Sequence, residues 1–563
     1  KPHGQSGYQS LECEAGFITI EPVDFYFHYQ SYFSRLTLRS SEARIWYSFQ
    51  PADQDPGEKP LFIFFNGGPG GATSDGLMSL NTARMTLDTT LENGGDEFIP
   101  NPVSWSRMGN LLYVDARLTG FSYNLMNSPG DGNARFREFN AQNFNIFFDA
   151  ADFIRLLLEF LSDHPELQDN PVIIVGESYG GVRSTVMLHI LLNYKDYANG
   201  IEMYQDDDLV EKIQAHYDAV FPGYNNQTVP PEIIARQFSH QILIQPAISA
   251  GYQHQVAGEM FEQEGSVIFQ VAREEGLQYV PCWQKPSDSN CNPRDNALIF
   301  IDQVARRDYY NYTKPKDWLW DIFFNAARLL SFTNNLMMVT GVDVTGIPLL
   351  YASARTNAYK LNQDLNVDTQ MDKHASFEQL IFRDMARKAA KLAAEEPGDM
   401  RWVFGALQPW DRYFLSLNYD ANSAFHWNIA LYRGYDVDYY SPRCGRMFLK
   451  NVAHVNTFIT NGAYDLVVYS RAIPGSLALH YDILESVIHD AGEPGSEDRP
   501  GRIILNYNPD AFPGINDLYT RTIKFPLYAF SSHAVSINQP QELFADVLAW
   551  LTDTGLSLNE EEK

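Results

Sequence analysis

The stretch that decides the fold is VIIVGESYGGVRS, residues 172–184. It runs from an apolar block into Ser178, and the helix-like stretch VRSTVMLHILL (182–192) follows. Gly176, Ser178 and Gly180 form GxSxG, which is typical of the strained strand-to-helix turn that exposes a nucleophilic serine. Glycines are needed in such a turn because a side chain would collide with neighbouring backbone. GxSxG also arises by chance in long chains, so the setting between strand and helix is what favours a nucleophile.

Further apolar blocks bounded by turn residues predict more strands of the same kind. They are LFIFF (61–65), LLYVD (111–115), ILIQP (242–246), TFIT (457–460) and FPLYAF (525–530). Runs that are apolar throughout are typical of strands covered on both faces. Between them, residues 140–164 carry apolar side chains at spacings of three and four, which predicts a helix. Strands that alternate with helices indicate an α/β fold with a mostly parallel central sheet flanked by helices.

The middle of the chain has a different pattern. Between residues 252 and 420, aromatic and charged residues mix with helical periodicities, as in FEQLIFRDMARKAAKLAAEE (377–396). We therefore predict three parts: a first part of the core at 1–251, a mostly helical cap insertion at 252–420, and a second part of the core at 421–563.

Charge and hydropathy exclude two classes of partner. The chain of 563 residues has 42 basic and 70 acidic residues and a formal net charge of −28, which repels phosphate backbones and anionic lipid surfaces. The sequence contains no run of about 18 apolar residues, so no membrane span is expected. The first residues, KPHGQSGYQS, contain no apolar signal core, so we expect either a cytoplasmic protein or one whose signal peptide has been removed.

The cysteines offer one possible disulfide and no metal site. Cys282 and Cys291 flank CWQKPSDSNC, whose turn-forming residues suit a short bridged hairpin in an oxidising compartment. No CxxC pair or clustered histidine accompanies the cysteines, so zinc is not expected. We expect no other metal and no cofactor.

A second glycine-rich stretch predicts the oxyanion site. FFNGGPGGATSDG (64–76) follows a strand block, and its backbone is free of side chains where a ligand would approach. The N–H of Gly68 and that of Tyr179 are the expected pair of donors to the tetrahedral oxygen. The alternative is a flexible loop with a proline turn.

The acid and the base should follow the nucleophile in the chain, in that order. His533 is the favoured base because it closes a strand block, in FPLYAFSSHAVSINQP (525–540). Asp465, in FITNGAYDLVV (458–468), also follows a strand block, and its carboxylate would orient the imidazole. The rival acids, in less strand-like settings, are Asp482, Asp490 and Asp510.

Six ordered segments together resemble the serine carboxypeptidase family, peptidase family S10, within the α/β-hydrolase fold. The segments are AGFITIEPVD (15–24), FFNGGPGG (64–71), residues 101–123, the helix that leads into GESYGG (176–181), FITNGAYD (458–465) and SSHAVSINQPQELF (531–544). The resemblance implies Ser178 as nucleophile, His533 as base and Asp465 as its orienter, with Gly68 and Tyr179 as oxyanion donors.

The resemblance also implies a site for the free C-terminus of a peptide, at Asn66 and Glu177. Asn66 can donate to the substrate carboxylate, but Glu177 repels that carboxylate unless the two acids share a proton. Peptide hydrolysis should therefore be favoured at acidic pH.

The chain departs from the family pattern around the pocket. Phe64 stands in place of a tryptophan, Gly71, Ala72 and Thr73 replace a cysteine and two serines, and Ala534 replaces a methionine beside His533. A glutamate expected further along is absent, with MSLNTARM (78–85) in its place. These changes reshape the pocket for the departing residue and leave the nucleophilic residues intact.

The leading hypothesis is a serine carboxypeptidase that acts on peptides through an acyl-enzyme. An esterase or acyltransferase of the same fold is the alternative, with a small acyl substrate, because an alcohol can intercept the acyl-enzyme. A non-catalytic binding protein is a third reading. The resemblance favours a secreted, periplasmic, vacuolar or lysosomal location, with the signal peptide absent from this chain.

Overall fold

The computed structural model describes residues 13–29, 34–40, 42–67, 72–74, 76–87, 98–117, 121–125, 146–249, 253, 443–462, 470–490, 501–510, 520–528, 531, 533 and 535–556. Nearly all of the predicted cap at 252–420 lies outside these ranges, as do Gly68, Cys282, Cys291 and Asp465. The three-part division therefore stays a prediction. Of the other cysteines, Cys13 is exposed and Cys444 is buried.

The described strands, in chain order, are β1 (Glu14–Ile20), β2 (Asp24–Tyr29), β3 (Ser34–Arg39), β4 (Glu42–Gln50), β5 (Leu61–Phe65), β6 (Met85–Leu87), β7 (Phe98–Pro100), β8 (Asn110–Val114), β9 (Tyr123–Leu125), β10 (Val172–Glu177), β11 (Tyr204–Gln205), β12 (His240–Ile244), β13 (Asn456–Ile459), β14 (Asn461–Gly462), β15 (Leu484–Asp490), β16 (Arg502–Tyr507), β17 (Thr520–Lys524) and β18 (Leu527–Tyr528). The described α-helices are α1 (Ile146–Asp163), α2 (Gly180–Leu192), α3 (Asp207–Val220), α4 (Pro231–Ile234), α5 (Arg443–Val452), α6 (Ile473–Leu477), α7 (Val535–Asn538) and α8 (Pro540–Asp553). A short π-helix spans Met78–Thr82.

The main sheet has eleven strands in the order β1-β4-β8-β5-β10-β12-β13-β17-β16-β15, with β9 paired to β4. The six strands from β8 to β17 are parallel to one another. At one side β4 and β1 pair antiparallel, and at the other side β16 and β15 do. The protein has an α/β-hydrolase fold, and the prediction of a mostly parallel sheet is confirmed.

Alternate side chains of β5 supply two different layers of the core. Leu61, Ile63 and Phe65 join the apolar cluster of α1 and α2 on one face of the sheet. Phe62 and Phe64 join the cluster of α8 on the other face. A strand covered on both faces must be apolar throughout, which is the pattern of the sequence LFIFF.

The predicted strand at 525–530 is partly wrong. The strand that extends the main sheet there is β17, at Thr520–Lys524, and within 525–530 the described pairing is that of Leu527 and Tyr528 with β14. Phe525 lies just beyond the end of β17, Tyr528 lies in β18, and both are buried in the core. Burial in a connection and burial in a strand therefore leave the same local pattern.

The parallel strands carry the candidate site at one edge. Asn66 follows β5, Ser178 follows β10, Gln245 follows β12 and Thr460 follows β13. Because parallel strands end at the same edge of a sheet, these residues converge there, at the carboxyl edge. Within the described ranges, no helix is both long and apolar enough to cross a bilayer.

Candidate active site

Ser178 occupies a strained turn between β10 and α2. Its φ is 60°, a left-handed value that costs a residue with a side chain about 1 to 3 kcal/mol. The turn is held by its own peptide groups: the Ser178 N–H donates to the Ile244 carbonyl at 3.0 Å, and the Ser178 carbonyl accepts from Gly181 and Ala247, both at 2.8 Å. The backbone geometry of the serine is therefore fixed from two sides.

The glycines of the turn are required by close backbone contacts. A Cβ on Gly176 would lie 2.5 Å from the Gly180 carbonyl oxygen and 2.5 Å from Ser184 Oγ. A Cβ on Gly180 would lie 2.9 Å from the carbonyl oxygen of Phe65. These contacts agree with the sequence prediction that side chains would collide there.

The glycine-rich stretch after β5 lies directly against the nucleophile turn. A Cβ on Gly67 would lie 2.6 Å from Ser178 Cβ and would overlap the backbone nitrogen of Tyr179. Gly67 is thus brought next to the N-terminus of α2, where backbone N–H groups favour negative charge. Tyr179 is fully buried at that N-terminus. Gly68 itself lies outside the described residues, and its role as the second donor stays a prediction.

Asn66 and Glu177 are brought together as a buried pair beside Ser178. Asn66 Nδ2 donates to Glu177 Oε1 at 2.9 Å, and the two residues are only 8% and 7% exposed. The orientation of the Asn66 amide is fixed because its Oδ1 accepts from the Leu77 N–H at 2.8 Å. The Asn66 N–H in turn donates to Thr73 Oγ1 at 3.1 Å.

Arg183 of α2 holds the backbone of Asn66 by a hydrogen bond and is itself paired with Asp149. Its Nη1 donates to the Asn66 carbonyl oxygen at 2.7 Å, and its Nε and Nη2 bind the two carboxylate oxygens of Asp149 at 2.8 and 3.2 Å. The guanidinium also lies over the rings of Phe65, Phe153 and Tyr179, at 4.6 to 5.5 Å from their centroids. In the sequence, Arg183 carries a single signal, which is its charge inside an otherwise apolar helix.

A second buried carboxylate holds the far end of the glycine-rich stretch. Asp115, after β8, accepts from the Ser74 N–H at 2.8 Å, from Ser74 Oγ at 2.9 Å and from the Phe121 N–H at 3.0 Å. Burial raises the pKa of the Asp115 carboxyl to about 6, although the hydrogen bonds from Ser74 and Phe121 act in the opposite direction.

The segments that carry the predicted acid and base run side by side. Strand β14 (Asn461–Gly462) precedes Asp465 by three residues, and it pairs in parallel with β18 (Leu527–Tyr528), which precedes His533. His533 is 8% exposed. Helix α7, which follows it, packs against the π-helix at Met78–Thr82, next to the Asn66 loop. His533 is therefore carried to the same end of the sheet as Ser178.

The rival acids lie elsewhere. Asp482 precedes β15, and Asp510 follows the antiparallel β16, so both belong to the opposite edge of the sheet. Asp490 ends β15, the outermost strand, where it pairs with Arg502 at 3.0 Å. This placement leaves Asp465 as the preferred acid, although Asp465 lies outside the described residues and its role stays a prediction.

Two other histidines of the described chain also lie away from this edge. His240 begins β12 at the amino edge, where its Nε2 lies 2.9 Å from Thr554 Oγ1 and burial lowers its pKa to about 4. His216, on α3, lies 3.0 Å from Gln237 Oε1. In the ranges that the structure describes, no group of three His, Cys, Asp or Glu residues is arranged to hold a metal ion.

The arrangement supplies the elements of acyl transfer. A buried serine on a strained turn, a helix N-terminus beside it and a histidine carried to the same edge are the groups that this chemistry needs. The Asn66–Glu177 pair adds a buried amide and a buried carboxyl next to Ser178.

Comparison with known proteins gives matches over part of the chain. Residues 21–204 match the family model described as serine carboxypeptidase, Peptidase_S10. Serine carboxypeptidase-like 20 of Arabidopsis thaliana is 30% identical over 161 residues, which cover 28% of this chain and 29% of that protein. Serine carboxypeptidase-like 5 of the same plant is 30% identical over 184 residues, covering 32% of this chain and 34% of the relative. The chain thus spans well under half the length of these relatives.

Among solved structures, a prohormone-processing carboxypeptidase from Saccharomyces cerevisiae superposes with a TM-score of 0.43 at 12% sequence identity. The superposition covers 96% of this chain and 91% of that one.

Proposed function

We propose that this protein is a serine carboxypeptidase that releases single residues from the C-termini of peptides, because residues 21–204 match the model of that family. The observation that carries the proposal is the buried hydrogen bond between Asn66 Nδ2 and Glu177 Oε1, directly beside Ser178. An esterase needs the nucleophile, the base with its orienting acid and the oxyanion donors, but no site for a substrate carboxylate. A buried carboxyl and amide pair at that position gives a reason to act on substrates with a free carboxylate.

The proposed reaction is acyl transfer in two steps. Ser178 Oγ attacks the carbonyl carbon of the last peptide bond while His533 takes the hydroxyl proton, and Asp465 orients the imidazole. The N–H groups of Gly68 and Tyr179 receive the negative charge on the carbonyl oxygen. His533 then gives its proton to the departing amine, and water cleaves the acyl-enzyme in the reverse sense.

The Asn66–Glu177 pair gives the proposed enzyme its pH dependence. The Asn66 amide donates to the substrate carboxylate, and a proton shared between that carboxylate and Glu177 turns a repulsion into a hydrogen bond. As pH rises, the shared proton is lost and peptide binding weakens. We therefore propose that the enzyme works in an acidic setting, secreted, periplasmic, vacuolar or lysosomal, which fits the formal charge of −28.

Turnover of matched substrates by wild type and Ser178→Ala tests the proposal. Blocked dipeptides and their amide and ester analogues are assayed from about pH 4 to about pH 8. We expect release that depends on Ser178 and that declines with rising pH for free acids alone. Fast turnover of esters with little peptide cleavage would instead identify an esterase or acyltransferase, and absence of all turnover would indicate a binding protein.

Glu177→Gln tests the shared proton. Glutamine can still accept the hydrogen bond from Asn66, but its amide stays neutral at every pH. We expect the variant to lose the decline in peptide hydrolysis with rising pH, measured as kcat/KM, while its ester hydrolysis keeps the wild-type profile. A peptide profile identical to that of wild type would contradict the proposed role.

A further inference from the structure

Gln245 has a backbone conformation that ordinary residues avoid. It follows β12, its φ is 46°, and its side chain is fully buried. A glycine would adopt this φ without strain, whereas a glutamine there costs about 1 to 3 kcal/mol. The backbone therefore gives no reason for a glutamine at this position, and the reason must lie in the contacts of its side chain.

The turn that contains Gln245 is bonded on one side to the nucleophile turn. The carbonyl of Ile244 accepts the N–H of Ser178 at 3.0 Å, and the N–H of Ala247 donates to the carbonyl of Ser178 at 2.8 Å. Both peptide groups of the strained serine are thus held by the residues that flank Gln245 and Pro246.

On the other side, Gln245 is bonded to the end of β13 and to β14. Its Oε1 accepts from the Gly462 N–H at 2.6 Å and from Thr460 Oγ1 at 3.1 Å, and its own N–H donates to Thr460 Oγ1 at 2.9 Å. Gly462 pairs with Tyr528, and the chain leads on from these two residues toward positions 465 and 533.

We infer that Gln245 is a positioning residue, which sets the distance between the nucleophile turn and the strands that lead to the acid and the base. This inference rests on the proposed function. The glutamine side chain spans the gap between two connections that are 215 residues apart in the sequence. A displacement of about 1 Å at a catalytic group costs about 100-fold in rate. The side-chain bridge made by Gln245 therefore affects kcat although it does not contact the substrate.

Two variants remove the side-chain bridge made by Gln245 in different ways. Gln245→Gly relieves the backbone strain and deletes the side chain, and Thr460→Val removes the hydroxyl that both bonds to Gln245 share. We expect kcat for peptides and esters to fall at least about tenfold in each variant, with KM little changed, because the loss is in the alignment of reacting groups.

The reactivity of Ser178 toward a fluorophosphonate gives a readout that does not depend on the peptide. The serine oxygen forms a bond to phosphorus, fluoride leaves, and the hydroxyl proton passes to the base. We expect the labelling rate to fall in parallel with kcat. Wild-type protein that is labelled but cleaves no peptide would contradict the proposed carboxypeptidase, and the labelling rates of the variants would still decide the role of Gln245.

A matched control lies within β12 and β13, the two strands that lead to Gln245 and Thr460. Gln241 Nε2 donates to Thr457 Oγ1 at 2.9 Å, a buried glutamine–threonine bond between β12 and β13 in the middle of the sheet. Thr457→Val should lower the urea midpoint about as much as Thr460→Val and leave kcat and the labelling rate unchanged. Variants of 245 and 460 that lose stability but keep wild-type kcat and labelling, as this control should, would overturn the inference.

Discussion

Gly76 leaves the space in which the Asn66 amide lies. A Cβ built on Gly76 would overlap the Nδ2, Cγ and Oδ1 atoms of Asn66, so a side chain there must displace the amide from Glu177. The space at Gly76 thus sets the position of the amide that we propose to bind the substrate carboxylate.

Gly76→Ala should weaken the binding of substrates that carry a free carboxylate. We expect KM for such peptides to rise about tenfold, the equivalent of about 1.4 kcal/mol, while kcat and the kinetics of ester analogues stay near wild type. The control is Gly223→Ala, since a Cβ at Gly223 meets nothing within 4 Å. Equal losses on acids and esters would show that the substitution damages the nucleophile turn instead.

Asp115 predicts a pH dependence of stability. Its pKa in the folded protein is raised to about 6 from 3.8, so the folded state binds more protons than the unfolded state between these values. The stability that this residue contributes is therefore present at low pH and falls as pH rises through that window, by about 2 to 3 kcal/mol in total.

Urea unfolding of wild type and Asp115→Asn at about pH 4 and about pH 7 measures this effect, because asparagine does not titrate. The free energy of unfolding of wild type relative to the variant should decrease from the lower to the higher pH. Asp482→Asn, at an exposed carboxyl, is the control. If this difference in unfolding free energy stays constant with pH or increases toward pH 7, the raised pKa of Asp115 is contradicted.

At the scale of residues, the sequence predicts those features that a local sequence motif encodes. Ser178 and its glycines were found because the turn imposes its own sequence. Arg183 and Gln245 were not found, since a long polar side chain is buried only where the fold supplies distant partners, here Asp149 and Thr460. The residues next to Arg183 and Gln245 in the sequence do not indicate those partners.

At the scale of elements, α1 and α2 are joined by the buried pair of Asp149 and Arg183. Both side chains are at most 3% exposed. Removing one member leaves an uncompensated buried charge, which is more costly than replacing both members with apolar side chains.

Asp149→Leu should therefore lower the free energy of unfolding by about 3 to 5 kcal/mol. The double variant Asp149→Leu, Arg183→Met should recover most of that loss, because it removes the unpaired guanidinium as well. Denaturant titration of both single variants and the double variant completes the cycle. Losses that simply add would mean that the two residues do not act as a pair.

The strands of the sheet were predictable in proportion to their burial. The central strands β5, β8, β10, β12 and β13 appear in the sequence as apolar blocks, because helices cover both of their faces. The outer strands β1, β15, β16 and β17 did not stand out, since each has one face open enough for polar residues, as in TRTIK at Thr520–Lys524. The pattern therefore predicted five of the six parallel strands and missed β17 and the antiparallel strands at both sides of the sheet.

At the scale of the whole molecule, net charge should make stability depend on salt. The formal charge of −28 near neutrality means that excess carboxylates repel one another in the folded state. Dissolved ions screen this repulsion, and protonation of the carboxylates removes most of it near the pI of about 4.8. Raising NaCl from about 0.02 M to about 0.5 M should increase the unfolding temperature at about pH 7.5 and change it little at about pH 5. A scanning measurement of Tm under the four conditions checks this, and an equal shift at both pH values would point to a salt effect unrelated to charge.

The pairing of β12 with β13 also has a consequence for biosynthesis. These neighbours in the centre of the sheet are separated by about 200 residues, so at about 5 to 20 residues per second a nascent chain holds β12 without its partner for roughly 10 to 40 seconds. During that interval an apolar strand presents an open hydrogen-bonding edge, which is the kind of surface that recruits chaperones or aggregates. Expression yield should therefore respond to translation speed and chaperone supply more than the stability of the finished molecule would suggest.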